Sequence, residues 1–189
     1  MQTIFAASTE RTSLSNLVRG AALALLGSAL LAISAKVQVI WPVPMTMQTL
    51  VVLLMGAYGG SRLAGATVLA YLVEGASGLP VFSTGAGLAF MAGPTGGYLA
   101  GFLLSAVLTG YAFERGYART LLGALAVFIV ADSVILGLGF AWLSVLFGAE
   151  KALAVGVMPF LLPEALKIAL ALASVPVAGA FFARKARAE

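Results

Sequence analysis

The sequence has 189 residues, of which 61% are apolar and only 10% charged, and its mean hydropathy is +1.06. Soluble domains carry about 25% charged residues, so this chain has too few polar side chains to cover a surface that faces water. The composition excludes a disordered chain and an ordinary soluble domain, and it indicates an integral membrane protein.

Cysteine and histidine are both absent. Their absence excludes disulfides, Cys/His metal sites and Ser-His or Cys-His catalytic pairs, so an enzyme would be left with a carboxylate or lysine mechanism. The phosphate-binding pattern GxxxxGK[ST] is also missing. The net charge of +4 comes from basic residues scattered singly between apolar runs, not from a stripe. We therefore expect no enzymatic activity, no metal or other cofactor, and no nucleic-acid partner.

The chain begins with residues 1–16, which are rich in Ser and Thr and lack the apolar core of a signal peptide, so we predict a short polar tail. Residues 17–35 are apolar and about long enough to cross a ~30 Å bilayer core. The prolines at 42 and 44 cannot continue a helix. Residues 17–35 are therefore the first predicted membrane span.

Residues 45–80 are too long for one span, because as a single helix they would run to about 50 Å. The sequence GGSR at 59–62 interrupts them with turn residues and a charge. This pattern predicts two short helices, about 47–58 and 63–75, whose ends are covered by protein or line a cavity. Residues 78–97 are rich in glycine and uncharged, which predicts a long irregular connection.

Three further helices are predicted at 98–113, 120–147 and 163–182, which gives an all-α bundle of six membrane-spanning helices. Residues 152–162 are either a short surface helix or an extension of the last one, with breaks at Pro159 and Pro163. We expect one membrane domain over residues 17–183 and a basic tail over residues 184–189.

The basic residues predict the orientation of the bundle. With six spans, the face that holds both termini carries eight of the eleven Lys and Arg residues: Arg11, Arg19, Arg62, Arg115, Arg119, Arg184, Lys185 and Arg187. The opposite face has Lys36 and Lys151, and Lys167 lies in or near a span. The positive-inside rule then predicts that both termini are cytoplasmic. The glycine-rich connection and the loop around Trp41 would lie outside.

Four charged side chains fall in or near spans, where each costs about 2.5–3.5 kcal/mol on insertion: Glu74, Asp132, Glu164 and Lys167. Glu164 and Lys167 are three residues apart and share one side of a helix that would begin at Pro163. They predict a binding site near the outer face, although an internal ion pair that only fixes helix packing is the alternative. Asp132 has no cation on its own helix, so it is neutral, pairs with Lys167 or bonds to a neighbour. Glu74 is interpreted as an interfacial or capping residue.

Small residues recur every four positions along the first span, and such rows allow another helix to come close: Gly20, Ala24, Ser28 and Ala32. Two interpretations remain open. The row is either a docking surface for a separate subunit or a contact with the protein's own helices.

Four strings in the chain resemble the BioY family, the biotin-binding S components of energy-coupling-factor (ECF) transporters: PVPMTMQTLVVLLMGAYGG (42–60), GLPVF (78–82), AGPTGGYLAGF (92–102) and PEALK (163–167). The resemblance implies a six-helix S component in the plasma membrane that captures biotin from outside. It also implies two kinds of partner, a T component that grips small-residue patches and the ATPase subunits that drive the cycle.

In that family an acidic residue and a lysine of the sixth helix contact the ligand, and here they correspond to Glu164 and Lys167. The family more often has Asp at the acidic position. Further candidates for contact with biotin are the rings of Trp41, Phe82 and Tyr98 and the polar groups of Thr46, Gln48, Ser83, Thr84 and Asp132. Two rival functions are a stand-alone or proton-coupled carrier that uses Asp132, Glu164 and Lys167 as a relay, and an S component for another small vitamin.

Overall fold

A computed structural model describes residues 2–39 and 43–185, and the side chains of residues 14–39 and 43–176. The fold is all-helical apart from one two-residue strand pair, β1 and β2. The helices are α1 (Gln2–Lys36), α2 (Gln48–Ala76), α3 (Gly87–Met91), α4 (Gly96–Glu114), α5 (Leu121–Phe147), α6 (Ala149–Gly156) and α7 (Leu161–Lys185), with β1 (Gln38–Val39) and β2 (Met45–Thr46) between α1 and α2. A 3-10 turn, Met158–Phe160, precedes α7.

Five helical stretches are long and apolar enough to cross a membrane, judged by length and composition: Leu14–Lys36, Gln48–Ala76, Gly96–Glu114, Leu121–Phe147 and Ala149–Pro176. Large apolar side chains cover the outside of the bundle; Leu122 and Val145, for example, are 75% and 79% exposed. Only a hydrocarbon environment removes so much apolar surface from water. The predicted all-α membrane protein is confirmed.

Helix α1 begins at Gln2, so it runs through the segment that the sequence predicted as a polar tail. Its membrane-spanning stretch starts at Leu14, three residues before the predicted start. Helices α4 and α5 agree with their predicted bounds within two residues. The side chain of Thr120 caps α5 by accepting a hydrogen bond from the Gly123 amide at 3.0 Å.

Helix α2 contains the predicted break. Gly60 has φ 74° and ψ 171°, a backbone conformation that glycine adopts readily and other residues rarely. Gln48 Nε2 and Tyr71 Oη are 2.7 Å apart, whereas in a straight helix 23 residues would separate them by about 35 Å. The two arms of α2, before and after Gly60, therefore lie side by side and run in opposite directions.

The turn at Gly60 is held by α4. The Glu114 carboxylate accepts hydrogen bonds from the backbone amide and the hydroxyl of Ser61, both at 2.8 Å. This contact satisfies an amide at the start of the second arm, where the helix has no internal acceptor. Gly110 packs directly on the backbone of Gly60 and Ser61.

Replacing Gly110 by alanine is expected to destabilise the fold by about 1–3 kcal/mol. The added Cβ would overlap the Ser61 backbone nitrogen and lie 2.5 Å from the Gly60 carbonyl carbon, and a backbone cannot move aside as a side-chain tip can. Thermal unfolding of the detergent-purified variant measures the effect. The matched control is Gly137→Ala in α5, where an added Cβ meets nothing within 4 Å. Equal melting temperatures for the two variants would contradict the role of this contact.

Two expectations about the last helix need correction. Pro163 does not start α7, which begins at Leu161. Pro163 is tolerated there because it lies in the first turn, where backbone amides have no helical acceptor. Residues 152–162 form neither a single surface helix nor a simple extension, since α6 ends at Gly156 and the 3-10 turn follows. In the predicted connection 78–97, residues 96 and 97 already belong to α4, and the rest is irregular except for the five residues of α3.

The row of small residues on α1 faces the protein's own α2. Ala24 and Ser28 are buried, and the Ser28 hydroxyl donates a hydrogen bond to the Glu74 carboxylate. Gly27, on the same side, leaves no room for a Cβ, which would lie 2.7 Å from Thr67 and 2.8 Å from Met55. The docking interpretation is therefore wrong for Ala24 and Ser28, because a separate subunit cannot reach buried side chains. Gly20 and Ala32, the ends of the row, are half-buried.

Candidate functional site

A small cavity lies where the start of α2, the connection after α2, α4, α5 and the start of α7 meet. Its volume is about 30 Å³, enough for about two water molecules. Aromatic rings and a few polar groups line it: Val43, Pro44, Thr46, Gln48, Thr49, Tyr71, Phe82, Ser83, Phe90, Thr95, Tyr98, Leu99, Phe102, Ile135, Leu136, Phe160 and Glu164.

Glu164 and Lys167 form a buried ion pair in the first two turns of α7. The Lys167 ammonium lies 2.7 Å from Glu164 Oε1, and both side chains are about 5% exposed. The Thr49 hydroxyl donates to the same oxygen at 3.3 Å. Glu164 Oε2 is buried and has no hydrogen-bond partner among the described residues. Because a buried carboxylate oxygen without a donor is costly, this atom is available to a donor on a ligand.

Asp132 of α5 adds a second carboxyl group to this pair. It is buried and lies within interaction range of Glu164 and Lys167. Its Oδ1 atom also lacks a partner within the part of the chain that the structure describes. Asp132 does not line the cavity itself but interacts with Glu164, which does. The cluster thus places two carboxyl groups within hydrogen-bonding range of each other, with one ammonium beside them.

Lys167 does not line the same cavity as Glu164. It lines a neighbouring cavity of about 210 Å³ beside the β1–β2 pair, together with Val37, Gln38 and Pro163 among others. Thr46 lines both cavities, and the ion pair of Lys167 with Glu164 also links them. The joint contact of Glu164 and Lys167 with one ligand remains a prediction.

A chain of hydrogen bonds stiffens the wall formed by α2. Thr46 Oγ1 donates to the Gln48 amide oxygen at 3.0 Å, and the Gln48 amide donates to the Tyr71 hydroxyl at 2.7 Å. The Tyr71 hydroxyl in turn donates to the carbonyl of Val81 at 3.2 Å. Thr46 and Gln48, both predicted candidates, therefore line the cavity and also fix the connection that follows α2.

Phe82 closes the cavity from the side of that connection. Its side chain is fully buried, with its ring edge-on to Tyr71 at 5.4 Å and stacked on Phe90 at 5.0 Å. Gly75 must remain a glycine, because a Cβ there would overlap the Phe82 ring. Phe82 thus fills space in the wall of the cavity that Glu164 also lines.

Tyr98 forms the opposite wall. Its ring stacks on Phe160 at 5.6 Å, and its hydroxyl donates to the Gly156 carbonyl at 2.6 Å. Of the other predicted residues, Ser83 lines the cavity, Thr84 is exposed and does not, and Trp41 lies outside the described residues.

The sequence reasoning missed several lining residues, among them Phe90, Thr95 and Phe160. Phe90 lies in the five-residue α3 and Phe160 in the 3-10 turn, where no helical periodicity marks which side faces inward. Their apolar character in otherwise irregular, uncharged segments was the one signal available.

Two side chains beyond the cavity hold the Phe82 connection in place. The Lys36 ammonium, at the end of α1, donates to the Phe82 carbonyl at 2.6 Å. Gln38 Nε2, in β1, donates to the adjacent Ser83 carbonyl at 3.2 Å. We call these two residues the latch. They tie the end of α1 to the segment that covers the cavity.

Comparison with known proteins identifies a matching family, relatives of similar sequence and a solved structure of similar fold. The sequence profile of the BioY family matches residues 6–184. The probable biotin transporter BioY of Pyrococcus horikoshii is 36% identical over 148 residues, which are 76% of this chain and 85% of that protein. The biotin transporter BioY of Rhizobium etli is 37% identical over 140 residues, or 69% of this chain and 74% of that protein.

A solved structure shares the fold. It is the S-component for biotin from an ECF-type ABC transporter, with a TM-score of 0.70 over 85% of this chain and 90% of that one. At 22% sequence identity, the match speaks for the architecture alone.

Proposed function

Because this chain belongs to the BioY family, we propose that it takes up biotin, as the membrane subunit that captures the vitamin at the outer face. It acts as a transport protein and not as an enzyme. In this proposal a T component and paired ATPases drive the uptake, since the chain has no phosphate-binding loop of the GxxxxGK[ST] type.

The observation that carries the ligand assignment is the Glu164 carboxylate, which lines the cavity and whose Oε2 atom accepts no hydrogen bond from a donor among the described residues. Biotin has a ureido group with two N–H donors and one carbonyl acceptor. Glu164 would accept from the N–H groups, while Asp132 interacts with the Glu164 carboxylate. Lys167 would donate to the carbonyl or balance the charge of the biotin carboxylate. The rings of Tyr98, Phe82 and Phe160 offer apolar surface to the fused ring system.

Binding requires the Phe82 connection to move, because a cavity of about 30 Å³ holds water molecules but no bicyclic ligand. The mobile part in this proposal is the segment between α2 and α3, which the latch residues hold from outside. After entry the same contacts close the segment over the ligand.

The topology that fits this role has six crossing segments, with each arm of α2 counted separately and both termini in the cytoplasm. Support comes from the exposed cations Arg19, Arg62, Arg115 and Arg119, which lie toward the end of the bundle away from the cavity. Lys36 and Lys151 lie toward the cavity end. This distribution follows the positive-inside rule for a site that faces outward.

Calorimetric titration of the detergent-purified protein with biotin, desthiobiotin and thiamine tests the ligand. We expect biotin to bind and thiamine to give no heat. Desthiobiotin keeps the ureido group but lacks the sulfur ring, so it should bind more weakly than biotin. If thiamine bound and biotin gave no heat, biotin would be the wrong ligand, and the protein would bind another vitamin.

The rival function is a proton-coupled carrier, and the specific observation in its favour is the burial of Asp132, Glu164 and Lys167 in one cluster. Uptake assays separate the two functions. Biotin accumulation in ATP-free vesicles that contain this chain alone, and its loss when the proton gradient is dissipated, would favour the carrier. Accumulation that needs the T component, the ATPases and ATP supports the proposal.

A further inference from the structure

A second concave region lies toward the other end of the bundle, between α1 and the two arms of α2. It is an apolar groove of about 350 Å³, and it shares no residue with the cavity at Glu164. Leu23 and Leu30 of α1 form one side, and Leu54, Tyr58 and Leu63 of α2 form the other. Leu23 and Leu30 are 43% and 50% exposed, so the groove opens to the outside of the bundle.

Two arginines flank the groove. Arg19 precedes Leu23 by four residues and Leu30 by eleven, and these spacings place all three on one side of α1. Arg62 directly precedes Leu63 at the start of the second arm of α2. Both arginines are exposed.

The two arginines lie at nearly the same depth. Gly27 faces Thr67 and Met55, which fixes the register of α1 against both arms of α2. Arg19 lies eight residues before Gly27, or about 12 Å along α1. Arg62 lies five residues before Thr67, or about 7.5 Å along the second arm of α2, toward the same end of the bundle. Their backbones therefore differ by about 5 Å in depth, at the same end of the groove.

The charge of these arginines is only partly compensated. Among the described side chains the one salt bridge is that of Lys167 with Glu164, so neither arginine has an ion-pair partner there. Glu114 is the acid that acts on Arg62, and two hydrogen bonds already hold its carboxylate at Ser61. An anionic hydrogen-bond acceptor between Arg19 and Arg62 would compensate the remaining positive charge of both side chains.

Tyr58 marks the depth of this end in the bilayer. It lines the groove, is 44% exposed and shares a hydrogen bond with Ser174 at 2.6 Å. Exposed tyrosines are typical of the headgroup level, which is also the level at which arginines meet lipid phosphates.

We propose that the groove binds an acyl chain of an anionic glycerophospholipid, with the lipid phosphate between Arg19 and Arg62. The apolar walls fit the chain, and the two cations fit the phosphate. An apolar helix of another protein would fill the groove but would leave both arginines without an acceptor. This proposal does not depend on the ligand of the cavity.

Native mass spectrometry of the purified protein in an equimolar mixture of phosphatidylglycerol and phosphatidylcholine with identical acyl chains tests the proposal. We expect one phosphatidylglycerol to be retained in preference. Each arginine near an anionic lipid contributes a factor of about five, so Arg19→Ala with Arg62→Ala should weaken retention roughly 25-fold. The matched control, Arg115→Ala with Arg119→Ala, removes the same charge toward the same end of the bundle and should keep the lipid.

A second variant probes the groove without touching charge. Leu30→Trp fills it and should lower retention of both lipids, and thermal unfolding in detergent checks that each variant is folded. Equal retention of the two lipids by the unmodified protein, or equal losses in the two double-arginine variants, would overturn the proposal. Retention of glycerol phosphate as strong as that of the lipid would also overturn the proposal. The same holds if a co-expressed T component excludes the lipid equally from the unmodified protein and from the variant without the two arginines.

Discussion

Lys167→Met is expected to abolish biotin binding and to destabilise the fold by about 3–5 kcal/mol, the usual effect of removing one partner from a buried ion pair. The ammonium is the only cation close to the buried carboxyl groups of Glu164 and Asp132 among the described side chains. Without it, both carboxyl groups stay buried with no compensating charge. Thermal unfolding measures the loss of stability, and calorimetric titration with biotin measures the loss of affinity.

A double variant separates these two effects. Glu164→Gln together with Lys167→Met removes both charges of the pair, so the part of the stability that the single variant loses through an uncompensated Glu164 carboxylate should return. Biotin binding should not return, since the lysine donor and the carboxylate charge are both lost. Lys151→Met, an exposed lysine in α6, is the control and should behave as the unmodified protein. Biotin binding by Lys167→Met at unchanged affinity would remove the lysine from the site.

Lys36→Met is expected to speed the release of bound biotin by about tenfold. The substitution removes the charge-assisted hydrogen bond to the Phe82 carbonyl, and such a bond contributes about 1.5–3 kcal/mol when buried and less at the partly exposed end of α1. Since the latch holds the covering segment closed, its loss should act mainly on dissociation. Chasing radiolabelled biotin from the purified protein with unlabelled biotin measures the release rate.

The second latch residue provides an independent check. Gln38→Leu removes the weaker, longer bond to the Ser83 carbonyl and should accelerate release by a smaller factor. Neither variant touches Glu164 or Lys167, so the preference for biotin over thiamine should be unchanged. A slower association with unchanged release would contradict a latch and would indicate an entry path instead.

The helices and the break in α2 were predictable because their causes are local. Apolar runs of sufficient length predict membrane helices, and GGSR at 59–62 predicts the turn that Gly60 makes. The spacing of Glu164 and Lys167 likewise places them on one side of α7, where they form their ion pair.

Contacts between distant parts of the chain were not predictable. Lys36 and Phe82 are 46 residues apart, as are Ser28 and Glu74, and neither pair follows from any periodicity. The row of small residues on α1 shows what a local pattern leaves open. Its four-residue spacing shows that a helix can come close but not which helix, and Ser28 turns out to face α2. The assignment of Glu164 and Lys167 to one ligand remains a prediction, because these residues line different cavities.

The tight packing around Phe82 also bears on what the protein does while it waits for a ligand. A space for about two water molecules, walled by stacked rings, cannot support the continuous file of water that protons need to cross a ~30 Å hydrocarbon layer. It follows that this cavity, when no ligand fills it, offers protons no continuous path between the described helices. In this respect the waiting protein can stay in the cell envelope without draining ion gradients through its binding site.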